Sequence, residues 1–233
     1  ADVVGWEVTD PDPAYGDYLT VHRGGNAAAG VGPAQAEQVW WTVYIATDDL
    51  DAAAAAVTAH GGTLVVEPGD VGPLGRMAIA ADPTGATFGL WQAGTHIGAA
   101  LVNEPGGLAW EDLRSTDPDA SRAFFAAVFG WTYEAMPDFP EYTTFTQPGE
   151  AEGVYLGGIG PVDPDTPGER PGWLPYFGVA DTDTAVATAE RLGGTVVAPA
   201  ETTPYGRMAV LTDPHGAEFA VIASDWTQQP DRS

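Results

Sequence analysis

Two opposite charges stand at alternate positions of an otherwise strand-like run, Leu108-Ala-Trp-Glu-Asp-Leu-Arg-Ser115. Alternation over 110–114 puts Trp110, Asp112 and Arg114 on one side and Glu111 and Leu113 on the other. A carboxylate and a guanidinium on a sheet face cost desolvation unless they pair with each other or with a ligand. Two readings follow: a structural ion pair, or polar recognition in which Arg114 holds an acidic or carbonyl oxygen. A carboxylate in a dry pocket, its pKa raised, can also serve as a general base. Asp112 and Glu218 are the candidates for that role; the sequence assigns no catalytic residue. Tyr44 and Tyr176 occupy matching places in "WTVYIA" (41–46) and "WLPYFG" (173–178). Trp40, Trp41 and Trp173 cluster at the starts of these runs and Trp91 ends another. Such aromatics build either a core or a pocket for a flat or apolar ligand. His22, His60, His96 and His215 are scattered, cysteine is absent, and no phosphate-binding, serine-hydrolase or zinc-protease motif occurs.

Stepping along the chain, the elements that would position these residues recur. "GRMAIAADPTGATFGL" (75–90) returns as "GRMAVLTDPHGAEFAV" (206–221). Upstream of each copy lies an apolar strand, an Asp turn, a helix, a Gly-Gly stop and a second strand, in 41–68 and 173–199. Ala185, Ala189 and Leu192 fall on one helical face, with Gly61 and Gly193 as helix stops. A third copy starts at residue 108, with Asp117-Pro118 opening a helix, Phe124 and Val128 on one face, and Gly130 ending it. The start of the chain matches only the latter half of this unit, Gly5-Trp6 aligning with Gly130-Trp131. The first copy therefore lacks its opening strand and helix, and a chain starting at Ala1 rather than Met fits a truncated copy. Each complete unit reads β-α-β-β-β. Asp82-Pro83-Thr84-Gly85 and Asp213-Pro214-His215-Gly216 carry the residue order of a type I turn, and Arg76 and Arg207 are placed to brace those turns.

Composition bounds the function. The chain has 233 residues, eight Arg, no Lys and 33 acids, for a net charge of −25. That field repels nucleic acid and anionic membranes, so neither is an expected partner; it could attract a cationic ligand. Enrichment in Ala, Gly, Pro and Asp is also what a GC-rich or salt-adapted genome writes. No run approaches a membrane span and no signal peptide is visible, which points to a cytoplasmic protein.

The unit openers "YIATDDLDAA", "YFGVADTDTA" and "WEDLRSTDPDASRAFFAAVFGW", with the closing "DPTGATFGLW" and "DPHGAEFAVI", resemble the vicinal oxygen chelate superfamily of glyoxalases, extradiol dioxygenases and bleomycin-resistance proteins. The tandem arrangement looks closest to actinobacterial two-domain glyoxalase-like proteins. The resemblance implies an α+β fold of tandem vicinal oxygen chelate domains, each built of two βαβββ units forming a curved mixed sheet around a cavity. The expected division is a first domain 1–97, a linker 98–106, a second domain 107–224 and a tail 225–233. The resemblance also implies where metal ligands would stand: a His on the opening strand and a Glu on the closing strand. Those positions fall at Thr42, Trp110 and Leu174, and at Gly89 and Ala220, none of them a good ligand. No metal and no cofactor are therefore expected. Trp110, Asp112, Arg114, Tyr176, Tyr44 and Glu218 become the expected cavity-facing, ligand-binding residues. The expected function is metal-free binding of a small aromatic or apolar molecule by a monomer that pairs its domains internally. The alternative is an enzyme of the same superfamily, a lyase, isomerase or dioxygenase/hydroxylase, with or without metal.

Overall fold

The structure, a computed structural model, describes residues 1–33, 39–162 and 170–226. The first copy supplies β1 (Glu7–Val8), β2 (Leu19–Arg23) and β3 (Asn26–Val31). The second supplies β4 (Tyr44–Ala46), α1 (Leu50–Ala59), β5 (Thr63–Asp70), β6 (Gly75–Ala81) and β7 (Thr87–Ala93). The third supplies β8 (Leu108–Ser115), α2 (Pro118–Phe129), β9 (Thr132–Met136), β10 (Phe139–Thr146) and β11 (Gly157–Pro161). The fourth supplies β12 (Gly172–Gly178), α3 (Thr182–Arg191), β13 (Thr195–Thr203), β14 (Gly206–Thr212) and β15 (Glu218–Ala223). The last three copies are thus βαβββ units of an α+β fold, as the repeat predicts.

Within each complete copy the opening strand lies parallel to the last strand, giving the orders β4-β7-β6-β5, β8-β11-β10-β9 and β12-β15-β14-β13. A parallel neighbour needs a crossover, and the helix of each unit is that crossover. The helices begin where the sequence places them: Asp49, Asp117 and Asp181 are N-caps whose carboxylates accept from the N–H of Ala52, Ala120 and Thr184 at 3.0, 3.0 and 2.7 Å. They end at glycine, Gly130 as a left-handed cap with φ 72°, and Gly61 and Gly193 just past α1 and α3 with φ 89° and 91°. Ala185 and Ala189 are buried, but Leu192 is the cap residue of α3 and is exposed, because the helix ends at Arg191 before Leu192 can join that face.

Both Asp-Pro turns close as expected, with the N–H of Gly85 and Gly216 donating to the carbonyls of Asp82 and Asp213 at 3.0 Å. The arginines do not brace these turns. Arg76 grips both carboxylate oxygens of Asp51 at 2.9 and 3.1 Å, and Arg207 grips both of Asp183 at 2.9 and 2.7 Å. Each acid lies in the first turn of its helix, so the repeated Arg ties a strand to a helix start, where negative charge is favoured.

Packing divides the chain into two compact units, one of 1–41, 98–110 and 175–233, the other of 42–97 and 111–174. These units cut across the sequential halves: the second copy packs with the third, and the first with the fourth. In the second unit Leu50, Val57, Phe88, Leu90, Leu113, Phe125 and Ile159 are fully buried in one core, and Trp131 stacks on Phe145 at 4.2 Å between ring centres. A buried polar chain joins the copies there. Asp82, 3% exposed, accepts from the Thr84 and Ala86 N–H groups and the Thr84 hydroxyl, and from Ser121 of α2 at 2.6 Å. The Ser121 oxygen lies 2.8 Å from that of Ser115 at the end of β8. In the first unit Val4, Phe177, Leu211, Phe219 and Val221 form the core, with Trp6 and Trp41 edge-on to Phe177. The expected linker belongs to this unit, with Leu101 3% exposed. Of the expected tail only Asp225 and Trp226 lie within the described residues. Among the described residues no helix is long and apolar enough to cross a membrane.

Two predictions follow from this packing. Asp82→Ala removes the acceptor for four hydrogen bonds in a dry site and leaves Ser121 buried, a loss of about 3 kcal/mol in urea unfolding; Asp213→Ala, at the partly exposed equivalent turn, will cost about 1 kcal/mol. The Arg76 and Arg207 guanidiniums hold the carboxyls of Asp51 and Asp183 below the ordinary 3.8. A lowered folded-state pKa gives stability that is complete above the unfolded value and is lost as pH falls through the folded one. Asp183→Asn will therefore flatten the fall of Tm on acidification below about pH 4 and leave Tm at pH 7 little changed in high salt.

Candidate functional site

β8 pairs in parallel with β11 so that Asp112 lies beside Gly158, Leu113 beside Ile159 and Arg114 beside Gly160. Leu113 and Ile159 are fully buried in the core under α2 with Phe124 and Phe125. By alternation Asp112, Arg114, Gly158 and Gly160 occupy the opposite face, away from the helix, together with Trp110. The alternation expected of 110–114 is anchored here by Leu113, which is fully buried on the core side of β8.

The side chain that completes this face is one the sequence reading passed over. Tyr142 of β10 donates its hydroxyl to Asp112 Oδ1 at 2.6 Å. Its ring lies flat along β11: a Cβ at Gly158 would land on the Tyr142 hydroxyl, and one at Gly160 would come within 2.8 Å of ring carbon Cδ2. The two glycines are what let the ring cross the strand and reach Asp112. The signal was in the repeat. Asp17-Tyr18-Leu19-Thr20 matches Glu141-Tyr142-Thr143-Thr144, and Gly30-Val31-Gly32-Pro33 matches Gly158-Ile159-Gly160-Pro161. Tyr18 lies over Gly30 in the same way, with Thr20 opposite Gly30 as Thr144 is opposite Gly158.

Tyr44 and Tyr176 stand at equivalent places, opposite Gly89 and Ala220, as the repeat predicts. Their surroundings differ. Tyr44 is 45% exposed on the face of β4 away from α1, whereas Tyr176 is 8% exposed beside the fully buried Ala220. Position 89 is where the resemblance implied a metal-ligating Glu. Here the Tyr44 ring fills the space that any Cβ at Gly89 would need. At the opening-strand positions Leu174 is buried, and Thr42 and Trp110 offer no imidazole. Among the described residues no group of three or more His, Cys, Asp and Glu is arranged to hold a metal ion. The residues at these positions do not fit a metal.

Glu218 begins β15 opposite Thr212, on the same side of the strand as Ala220. It belongs to the first packing unit, and Asp112 to the second. The tryptophans divide between roles. Trp173 and Trp131 are core, Trp41 packs on Phe177, Trp91 donates to the His96 carbonyl at 2.8 Å, and Trp40 is exposed. His22 lies in β2, His60 caps α1 and His215 sits in its turn, all apart from Asp112 in sequence. A pocket of about 220 Å³ in the first unit, lined by Val3, Val4, Arg23, Asp181 and Thr184, contains none of the predicted site residues and is below the usual size of a ligand cavity.

Gly158→Ala tests the construction of this face. The methyl group displaces the Tyr142 ring and breaks its bond to Asp112, so the variant will lose about 1–3 kcal/mol of stability, and will change the near-ultraviolet tyrosine signal while the far-ultraviolet spectrum stays native.

The model of the glyoxalase/bleomycin resistance protein/dioxygenase superfamily matches residues 2–90, and that of a glyoxalase-like domain matches 112–222. "Putative glyoxylase CFP32" of Mycobacterium tuberculosis is 40% identical over 227 residues, covering 94% of this chain and 85% of that protein. The anthracycline biosynthesis protein DnrV of Streptomyces peucetius is 36% identical over 240 residues, covering 94% and 84%. Among solved structures, the Mn(II)-bound glyoxalase from Novosphingobium aromaticivorans matches with TM-score 0.62 at 16% identity, over 96% of this chain and 75% of that one. The 2,3-dioxygenase LapB from Pseudomonas sp. KL28 matches with TM-score 0.62 at 14% identity, over 95% and 84%. At such identities the structures speak for the fold alone. Two family models in tandem and two relatives matched over most of their length place the question beyond motif evidence: the chain belongs to the glyoxalase/bleomycin resistance/dioxygenase superfamily.

Proposed function

We propose that this glyoxalase-like protein binds a small aromatic molecule without a metal, on the β8–β11 face that carries Asp112, Arg114 and Tyr142. The observation that carries this reading is the Tyr142–Asp112 hydrogen bond laid over Gly158 and Gly160. A phenol ring held flat on a strand offers a stacking surface, and the carboxylate and guanidinium beside it fix orientation, the combination that small-molecule sites use. The filled position at Gly89 supports a metal-free site, because a carboxylate ligand has no room there. The relationship to DnrV, whose name ties it to anthracycline biosynthesis, supports a polycyclic aromatic as the ligand class.

A second reading rests on the place of Asp112 on this face of β8. A carboxylate there is the group that a metal-independent isomerase or lyase would use as its base, and the phenol's hydrogen bond, by stabilising the charged form, makes it a weaker one. Turnover of the ligand, lost in Asp112→Asn, would move the protein from this binding class into that enzymatic one.

The test is ligand titration followed by tryptophan fluorescence, before and after exhaustive chelation, with naphthalene- and anthracene-derived polyketides against small dicarbonyl compounds. The expected outcome is saturable quenching by the aromatics, the same Kd after chelation, and a loss of about tenfold in Asp112→Asn. Binding that requires added divalent metal, or that is confined to the dicarbonyls, would overturn the proposal.

A further inference from the structure

We infer that the core side of the first copy is a docking seat for an amphipathic helix built like α2 and running into residues 1–4. Those residues already form the last turn of such a helix. With Gly5-Trp6 matched to Gly130-Trp131, residues 1–4 fall on 126–129. The Gly5 N–H donates to the Ala1 carbonyl at 2.8 Å, as Gly130 donates to Ala126 at 2.9 Å. Both glycines are left-handed, with φ 75° and 72°. Val4 is buried and Val3 packs against the same core, at the places that Phe129 and Val128 hold in the core of the other unit. The turn is seated, and the seat continues beyond it.

Equivalent positions show what the rest of the seat is shaped for. Val31 of β3 is 41% exposed, while its counterpart Ile159 is fully buried in the core that α2 covers. Leu19 and Gly194 are half-buried, whereas Thr143 and Gly62 are buried, and Gly62 lies against the ring of Phe124 from α2. Asp213 accepts from the His215 and Ala217 N–H groups through Oδ1, and among the described residues no hydroxyl reaches its second oxygen. Asp82 gives that oxygen to Ser121 of α2. Beside the turn, the cavity of about 220 Å³ is lined by Arg23 and by Thr184, Ala185 and Thr188 of α3. This stretch of α3 is the equivalent of Ala52, Ala53 and Ala56 of α1, the helix on which α2 packs. The occupant must offer a hydroxyl toward Asp213 and, three and four residues later, large apolar groups toward Val31 and Gly194. That is the Ser121-x-x-Phe124-Phe125 pattern of α2. Leu19 and Val31 pair on the seat side of the strands, so Tyr18 stands on the other side, and a seated helix braces the strands beneath its ring.

The test extends the chain at Ala1 with a copy of residues 108–125, so that the added helix enters the turn in the register of α2. The extension should raise Tm, and a scrambled extension of the same composition should not. The loss of Tm caused by Asp213→Ala should grow about twofold or more in the extended chain, and return to its former size when the added copy of Ser121 is replaced by Ala. Asp82→Ala should cost the same in both chains. A second measurement uses the unextended chain: a separate peptide of residues 115–129 should slow amide exchange in α3 and β3 and leave α1 and β11 unchanged. An extension that leaves Tm and the Asp213→Ala loss as they were, or a scrambled one that stabilises equally, overturns the seat. Should the extended chain fail to fold, a peptide that protects neither α3 nor β3 overturns it.

Discussion

Each complete copy of the repeat closes by laying its first strand parallel to its last, and that pairing decides which side chains can share a face. It sets Tyr44 on Gly89, Tyr176 on Ala220 and Asp112 beside Gly158. Everything else in the copy serves the pairing. The helix is the crossover that parallel strands require, its N-cap aspartate starts it, and its glycine stop returns the chain to the sheet. With the register fixed, alternation sorts the residues: those facing the helix become core, and those facing away are left for chemistry.

The repeat phrase keeps its shape in both copies but not its environment. Asp82 and Asp213 hold the same turn through the same backbone bonds, yet only Asp82 is buried and bonded to a serine of another copy. Tyr44 and Tyr176 likewise share a register and differ in burial. The division into packing units explains the pattern. Second and third copies share one core, first and fourth another, so equivalent positions meet unlike neighbours.

Much of this was legible in the sequence, because it depends on local rules. Caps, glycine stops, Asp-Pro turns and strand alternation involve residues within a few positions of one another, and the βαβββ order and the shared face of Trp110, Asp112 and Arg114 came from them. What involved distant residues was not legible. Arg76 and Arg207 find Asp51 and Asp183 some 24 or 25 residues away, instead of their nearby turns. Tyr142 reaches Asp112 across 30 residues. Periodicity carries no information about such partners; only the second occurrence of a tyrosine before a Gly-x-Gly strand marked it. Nor could the grouping of copies into cores be read from their order along the chain.

The ring of Tyr44 over Gly89 ties two positions 45 residues apart into one packing choice. A carboxylate at position 89 would collide with the ring, so substituting the glycine alone damages packing before it can gain a ligand. For a side chain to stand at 89 the Tyr44 ring must turn out into solvent, where it is already 45% exposed, or be replaced by a smaller one. Positions 44 and 89 are therefore a single steric unit: a side chain on the glycine and the ring on its neighbour cannot both keep their present places, and either one changes only together with the other.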